Sequence, residues 1–339
     1  MVKKIGIDLG TSITKICIKG KGIKLREPTA VAYDKNTGEI IASGTKAKKM
    51  IGRTPPEKQV ITPMRGGVIA DFEDCVQMLS SFLYKIGARG IMSRPKVTVA
   101  VPCGITEVER NAFENVCVSA SGRDIFMLVK EPMAAALGAD VDIMNTKGRL
   151  IVNIGGGNTQ SAVISYRGTV ETGMIRSGGI NFDEAIVRYI KDQYNVVVGR
   201  QTAEIMKKSI GSAHPLAEKG DYEIYGRNIL NGQVERLVIR SGEIRIAVEE
   251  ELMRIIESIR SVLESTPPEL SSDAYDAGMV LCGGSALLSG IDRFISEKLG
   301  MPVFISKHPL DCVCRGLDRI ISSPSGLEEI VCIGEDEDI

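Results

Sequence analysis

Two stretches of the chain follow one plan. Residues 4–19 read KIGIDLGTSITKICIK: Ile5, Ile7 and Leu9 alternate with Gly6, Asp8 and Gly10, a Gly10-Thr11-Ser12 turn follows, and Ile16 and Ile18 alternate with Lys15 and Lys19. Period-two alternation broken by a small turn predicts strand, tight turn, strand. Residues 150–165, LIVNIGGGNTQSAVIS, repeat the plan, with Asp8 aligned to Asn153 and Gly10 to Gly155. Two such hairpins in one chain predict a duplicated fold, in which two α/β lobes face each other across a cleft and each hairpin grips a phosphate from its own side.

The turns suit an anion. Glycines admit close backbone approach, successive amides form an anion-binding nest, and Thr or Ser hydroxyls add donors. A third glycine turn, LCGGSALLSG at 281–290, follows an apolar strand predicted over 277–282 and opens a helical pattern; its glycines would let a flat base lie against the backbone. The remainder alternates α and β. Residues 96–101 read as a strand, Thr106 and Glu109 as a capping box heading a helix through Ala120, and 125–129 as another strand. Glu131-Pro132 then opens the helix of 133–137. That puts the Glu131 carboxylate at a strand-to-helix junction, where open α/β sheets carry reactive groups, although the helix dipole alone also favours an acid there. An apolar stripe through 244, 248, 252, 255, 256, 259, 262 and 263 predicts one long helix over 241–265, with Glu250 and Arg254 paired on its wet side.

Several classes are disfavoured. A formal charge of −1 on 339 residues gives no electrostatic footprint for nucleic acid. The eight cysteines lie scattered, mostly in apolar runs, and read as buried thiols of a reducing cytoplasm; two histidines and no CxxC pair leave no transition-metal site. No apolar run reaches the roughly 20 residues of a membrane-spanning helix. The acidic end at 335–339 reads as a solvated, disordered tail.

Ten ordered segments from about residue 4 to about 320, among them IGIDLGTS, MIGRTPP, VAVPCGITEVER, KEPMAAALGA, TAEIMKKSIGSAHPL, STPPEL and LCGGSALLSGIDRFI, resemble the MreB family of bacterial actins. That resemblance implies an α/β, actin-like (ribonuclease H-like) duplicated two-domain fold with an interdomain nucleotide cleft. It implies domain I over 1–140 plus 312–334 with a small insert about 30–65, and domain II over 141–311 with an insert about 177–243. It also implies ATP or ADP with Mg2+ in the cleft, self-assembly into filaments at the inner face of the cytoplasmic membrane, contacts with rod-complex membrane proteins, and organisation of cell-wall synthesis and cell shape.

By position, the resemblance makes Thr11, Ser12 and Ile13 the first phosphate loop and Gly155, Gly156 and Gly157 the second. Asp8 would hold Mg2+ through water. Glu204 and Lys207, otherwise readable as exposed helix charges, would contact ribose and base; Gly283, Gly284, Ser285 and Ala286 would flank the adenine. Glu131 matches the glutamate that orients the attacking water. The Hsp70 relatives need a further domain, and a sugar kinase needs a sugar-binding base for which no motif stands here.

The second hairpin departs from the family pattern DIGGGTTE, with Asn153 for aspartate, Asn158 for the water-positioning threonine and Gln160 for glutamate. Asparagine keeps shape and one acceptor but removes charge, roughly halving a hydrogen bond to metal-bound water. Loss of one such element commonly costs two to three decades in rate, about 3 to 4 kcal/mol. Nucleotide binding should survive and hydrolysis should slow, giving a weak ATPase. The alternative is a non-hydrolysing, nucleotide-bound scaffold that copolymerises with, or regulates, an active paralogue. Finally, ARGIMSRPK at 88–96 sets Ile91 and Met92 among Arg89, Arg94 and Lys96, the composition of a small membrane-inserting loop; the other reading is a turn with Ile91 packed inward.

Overall fold

The computed structural model of the chain describes residues 3–89, 95–122 and 125–323. Its frame is a pair of five-stranded sheets. In the first, Lys4–Leu9, Ile13–Ile18 and Gly22–Pro28 form an antiparallel meander, and Lys96–Val101 then Ile125–Lys130 join in parallel on the free side of Lys4–Leu9. In the second, Arg149–Ile154, Thr159–Ser165 and Gly168–Ile175 meander in the same way, and Met279–Cys282 then Val303–Ile305 join in parallel beside Arg149–Ile154. Strand for strand the order is the same, so the repeat seen in the two hairpins extends to whole sheets.

Both leading strands are buried on both faces after their first residue. One apolar core packs around each sheet, and a third links them. The third holds Cys17 and Ala100 from the first sheet, Ile151 and Ala162 from the second, and the helices Glu131–Gly138 and Cys312–Ser322. These helices cross at glycines. A Cβ on Gly138 would stand 1.8 Å from the Cys312 carbonyl oxygen, and one on Gly316 would stand 1.8 Å from that of Ala134, so only hydrogen fits at either place. The helix Cys312–Ser322 also lies on the first hairpin, where a Cβ on Gly6 would meet Leu317 Cβ at 2.8 Å.

Two small antiparallel sheets flank the cleft. Val31–Asp34, Ile40–Ser43 and Lys58–Ile61 make one, followed in space by the short helix Thr45–Met50; Val196–Val197, Asp221–Asn228 and Val234–Arg240 make the other. The capping box forms: Glu109 N–H donates to Thr106 Oγ1 at 3.2 Å and Thr106 N–H donates to Glu109 Oε2 at 3.0 Å, heading the helix Glu107–Ser121. The long helix Ser241–Ser265 buries the predicted stripe. Arg254 reaches Glu251 at 3.3 Å, however, and not Glu250, because the i,i+3 neighbour lies closer to the packed side. The third glycine turn also differs in detail. A separate helix, Pro268–Ala277, precedes it, the strand starts at Met279, and a 3-10 turn over Gly284–Leu287 comes before the helix Ile291–Leu299.

Seven cysteines lie among the described residues, all free and buried, and none of the described helices is long and apolar enough to cross a membrane. Cys332, the acidic end and the loop bearing Ile91 and Met92 lie outside the described residues.

Candidate functional site

The glycine turns of the two hairpins meet tip to tip. A Cβ on Gly156 would fall 2.0 Å from Ser12 Oγ, and one on Gly157 would fall 2.7 Å from Thr11 Oγ1. The carbonyls of Gly155 and Gly156 are taken by the amides of Gly179 and Ile180 at 3.0 and 2.7 Å, at the start of the helix Gly179–Tyr194. By contrast, the amides of Thr11, Ser12, Gly156 and Gly157 donate to no backbone carbonyl among the described residues. Unpaired amides beside the Thr11 and Ser12 hydroxyls suit an anion-binding nest.

Behind the turns lies a cavity of about 540 Å³, lined by residues of both sheets. Asp8, Thr11, Ser12, Ile13, Glu131, Asn153, Gly155, Gly156 and Asn158 line it, together with Glu204, Lys207, Gly283, Gly284 and Ser285. Gly157 is set back against Thr11, and Ala286 is fully buried in the second core, so neither lines the cavity. Gly283 (φ 90°) could bear no side chain: its Cβ would stand 2.2 Å from the Ile154 carbonyl oxygen and 2.6 Å from Asn153 Oδ1. Ser285 Oγ donates to the Gly155 carbonyl at 3.0 Å, tying the third turn to the second.

The register of each hairpin sets its charges. Asp8 stands directly opposite Lys15 in the first, and Asn153 directly opposite Gln160 in the second. Lys15 Nζ donates to Asp8 Oδ2 at 3.1 Å with both side chains nearly buried. Burial works against the Lys15 charge, but the Asp8 carboxylate outweighs it and holds the ammonium above the ordinary lysine range. The duplicate pair is neutral. Asn158, beside it, turns its Nδ2 to the Met174 sulfur at 3.7 Å and crowds Gly67.

Glu131 is buried at the start of its helix, as its junction predicts. Burial, then the Asp8 charge, push its carboxyl up to about 8 against the opposing pull of Gln160 and Lys15. Glu204 and Lys207 are far from free surface charges. Burial opposes ionisation of Glu204, yet hydrogen bonds from Lys208 and Lys48 bring its carboxyl down to about 2. Lys207 reaches Asp183 at 2.6 Å and donates to the Gly179 carbonyl; burial lowers the lysine and raises the aspartate, each partly restored by the other. Lys15, Asp183 and Lys48 are cleft residues that sequence reasoning did not single out; the repeat alignment that pairs Asp8 with Asn153 would have flagged Lys15.

A magnesium ion fits on limited terms. Among the described residues no three His, Cys, Asp or Glu side chains converge on a metal position. Asp8 lines the cavity and is already paired with Lys15; it would face an ion that arrives on phosphates and keeps most of its waters.

The MreB/Mbl protein family model matches residues 2–329. The chain belongs to this family. The cell shape-determining protein MreB of Escherichia coli (strain K12) is 43% identical over 317 residues, 92% of this chain and 91% of its own. The cell shape-determining protein Mbl of Bacillus subtilis (strain 168) is 40% identical over 314 residues, 93% of this chain and 94% of its own. Among solved structures, MreB5 of Spiroplasma citri bound to AMPPNP superposes with a TM-score of 0.89 at 35% identity, covering 93% of this chain and 95% of that one. The fold is therefore actin-like, as the family resemblance implied, and the cleft of the family member lies between two sheets of one topology.

Proposed function

We propose that the chain is a bacterial actin-like cytoskeletal protein. It binds ATP in the cleft, polymerises into filaments at the inner face of the cell membrane, and organises cell-wall synthesis and cell shape, with slowed hydrolysis. The observation that carries the reading is the tip-to-tip meeting of two glycine turns in which the Thr11, Ser12, Gly156 and Gly157 amides donate to no backbone carbonyl among the described residues. MreB5, solved with AMPPNP and with ADP, supports a nucleotide as the anion.

In this reading Thr11, Ser12 and Ile13 take one side of the phosphates and Gly155 and Gly156 the other. Lys15 adds a cation, Asp8 faces the hydrated Mg2+, Glu204 and Lys207 hold the ribose, and Gly283, Gly284 and Ser285 back the base. Glu131 orients water. Family membership supports filaments and membrane attachment, with Ile91 and Met92 as the inserting pair; two apolar side chains contribute only a few kcal/mol, so attachment depends on many copies along a filament. The proposed division places 1–140 and 312–334 in one domain and 141–311 in the other. Packing of the helix Cys312–Ser322 on the first hairpin supports the return of the chain to the first domain.

One set of features favours a second reading, the non-hydrolysing scaffold that acts with a paralogue: Asn153 brings no charge, Asn158 is turned to Met174, and Asp8 is already paired. Sedimentation with ATP against ADP, with phosphate release followed in the same samples, separates the two. Assembly that tracks phosphate release supports the first, and ATP-dependent assembly without release supports the second.

A further inference from the structure

Gln160 is fully buried on the strand Thr159–Ser165 of the second sheet, yet its amide is spent on the first. Its Nε2 donates to Glu131 Oε2, and its Oε1 accepts from the Cys103 N–H at 2.9 Å. Cys103 follows the strand Lys96–Val101, and Glu131 follows Ile125–Lys130, which pair in parallel with Val101 opposite Lys130. One side chain of the second lobe thus pins the ends of two neighbouring strands of the first. The amide orientation is fixed: the reverse would set a carbonyl oxygen against the carboxylate and an N–H against an N–H.

The repeat sharpens the point. Lys15, the counterpart of Gln160 in the first hairpin, bonds Asp8 within its own strand pair, whereas Gln160 bonds Glu131 and the Cys103 amide of the other sheet. A glutamate at this place would still accept from the Cys103 amide. It could face Glu131 only by sharing a proton with it, because like carboxylates at contact do not both ionise. Glutamine therefore supplies what an acid cannot, a donor to an ionised Glu131 together with an acceptor for the amide.

We propose that Gln160 is a positioning residue that ties the Glu131 carboxylate to the second lobe, so that the angle between the lobes sets where Glu131 points and when it can orient water. This rests on the reading of the cleft as a nucleotide site with Glu131 at its reacting end. The strut itself stands on the two hydrogen bonds. The other charged and titratable groups around Glu131 are Asp8, Lys15, the Cys103 and Cys282 thiols and Lys130.

The test uses the full chain and two variants, Gln160→Leu and the near-isosteric Gln160→Glu. Three quantities are followed: binding of a fluorescent ATP analogue, single-turnover phosphate release from pH 6 to 9.5, and hydrogen exchange at the Cys103 amide. Gln160→Leu should release phosphate about tenfold more slowly, with nucleotide affinity within about twofold, and exchange the Cys103 amide faster. Gln160→Glu should keep that amide protected while the midpoint of the pH profile rises by about one unit or more. An unmoved pH profile in Gln160→Glu, or unchanged Cys103 exchange in Gln160→Leu, overturns the proposal, as does wild-type protein that binds nucleotide and releases no phosphate at any pH. Wild-type protein that binds no nucleotide instead overturns the reading of the cleft, and the exchange measurement then still decides the strut. If Gln160→Leu fails to fold, the pH profile and amide protection of Gln160→Glu decide the proposal.

Discussion

Lys15 Nζ lies 3.1 Å from Asp8 Oδ2 across the first hairpin, while the matching places of the second hairpin hold the neutral Asn153 and Gln160. Asp8 is thus partly neutralised before any metal arrives, and the Lys15 ammonium is left facing the same cavity as the unpaired turn amides. Lys15→Gln should weaken ATP binding about tenfold, the worth of one charge-assisted hydrogen bond, and more strongly in EDTA than in Mg2+, since the ion replaces part of the lost charge. Titration calorimetry in both buffers checks this. Equal affinities for variant and wild type in EDTA would remove Lys15 from the phosphate site.

At the mouth of the cleft, Lys48 reaches Glu204 at 2.9 Å and the Lys48 carbonyl accepts from Gln201 Nε2 at 2.9 Å, joining the short helix Thr45–Met50 to Arg200–Ile210. The pair is partly exposed and modest in strength, roughly 1 kcal/mol or less. Lys48→Ala should therefore speed both entry and exit of nucleotide about two- to fivefold and leave the dissociation constant nearly unchanged. Stopped-flow traces with a fluorescent nucleotide read both rates. A change in exit alone would mean that Lys48 touches the ligand instead of gating it.

Glu131 gives the nucleotide-free protein a pH dependence of definite sign. Its folded carboxyl titrates near 8, pushed there by burial and by Asp8, while the ordinary value is 4.5. Between those values the folded state holds a proton that the unfolded state has lost. Stability contributed by this group therefore falls as pH rises from 4.5 to about 8, and levels off above. Urea unfolding across that range should show the decline, and Glu131→Gln should flatten it. A wild-type slope of the opposite sign, or one unaffected by Glu131→Gln, contradicts the assignment.

The glycine crossing beneath the cleft predicts a stability defect remote from any ligand. Gly316→Ala would drive a methyl group to 1.8 Å from the Ala134 carbonyl oxygen, and backbone must move to admit it. A loss of roughly 3 kcal/mol is expected from overpacking of this kind. Gly300→Ala, with open space around its Cβ but φ 69°, should cost about 1 kcal/mol from backbone strain alone. Thermal melts of the two variants side by side check the order, and equal losses would contradict the close crossing.

The hairpins, the capping box at Thr106, the Glu131 junction and the long helix could be read from the sequence because each is written in neighbouring residues, by strand alternation, cap chemistry or a 3.6-residue stripe. Lys15 escaped notice because alternation assigns it to the face opposite Ile16 and Ile18, and only tertiary cover leaves it 12% exposed. Glu204 and Lys207 look like ordinary helix charges until the cleft closes over them. Gln160 read as a lost acid because both of its partners, Cys103 and Glu131, come from the other lobe. Gly138 and Gly316 carry no local signal, since the atoms that exclude a Cβ lie on a helix distant in sequence.

In the proposed reading the cleft holds nucleotide while the uncharged Asn153 slows its turnover. The direct measurement is phosphate release at saturating ATP and Mg2+ from wild type and Asn153→Asp, each set against an ordinary MreB. Wild type should be slow and the variant faster by on the order of a hundredfold, the worth of one restored electrostatic element at a phosphoryl-transfer centre. Wild-type release already at the ordinary rate, and no faster in Asn153→Asp, would contradict it.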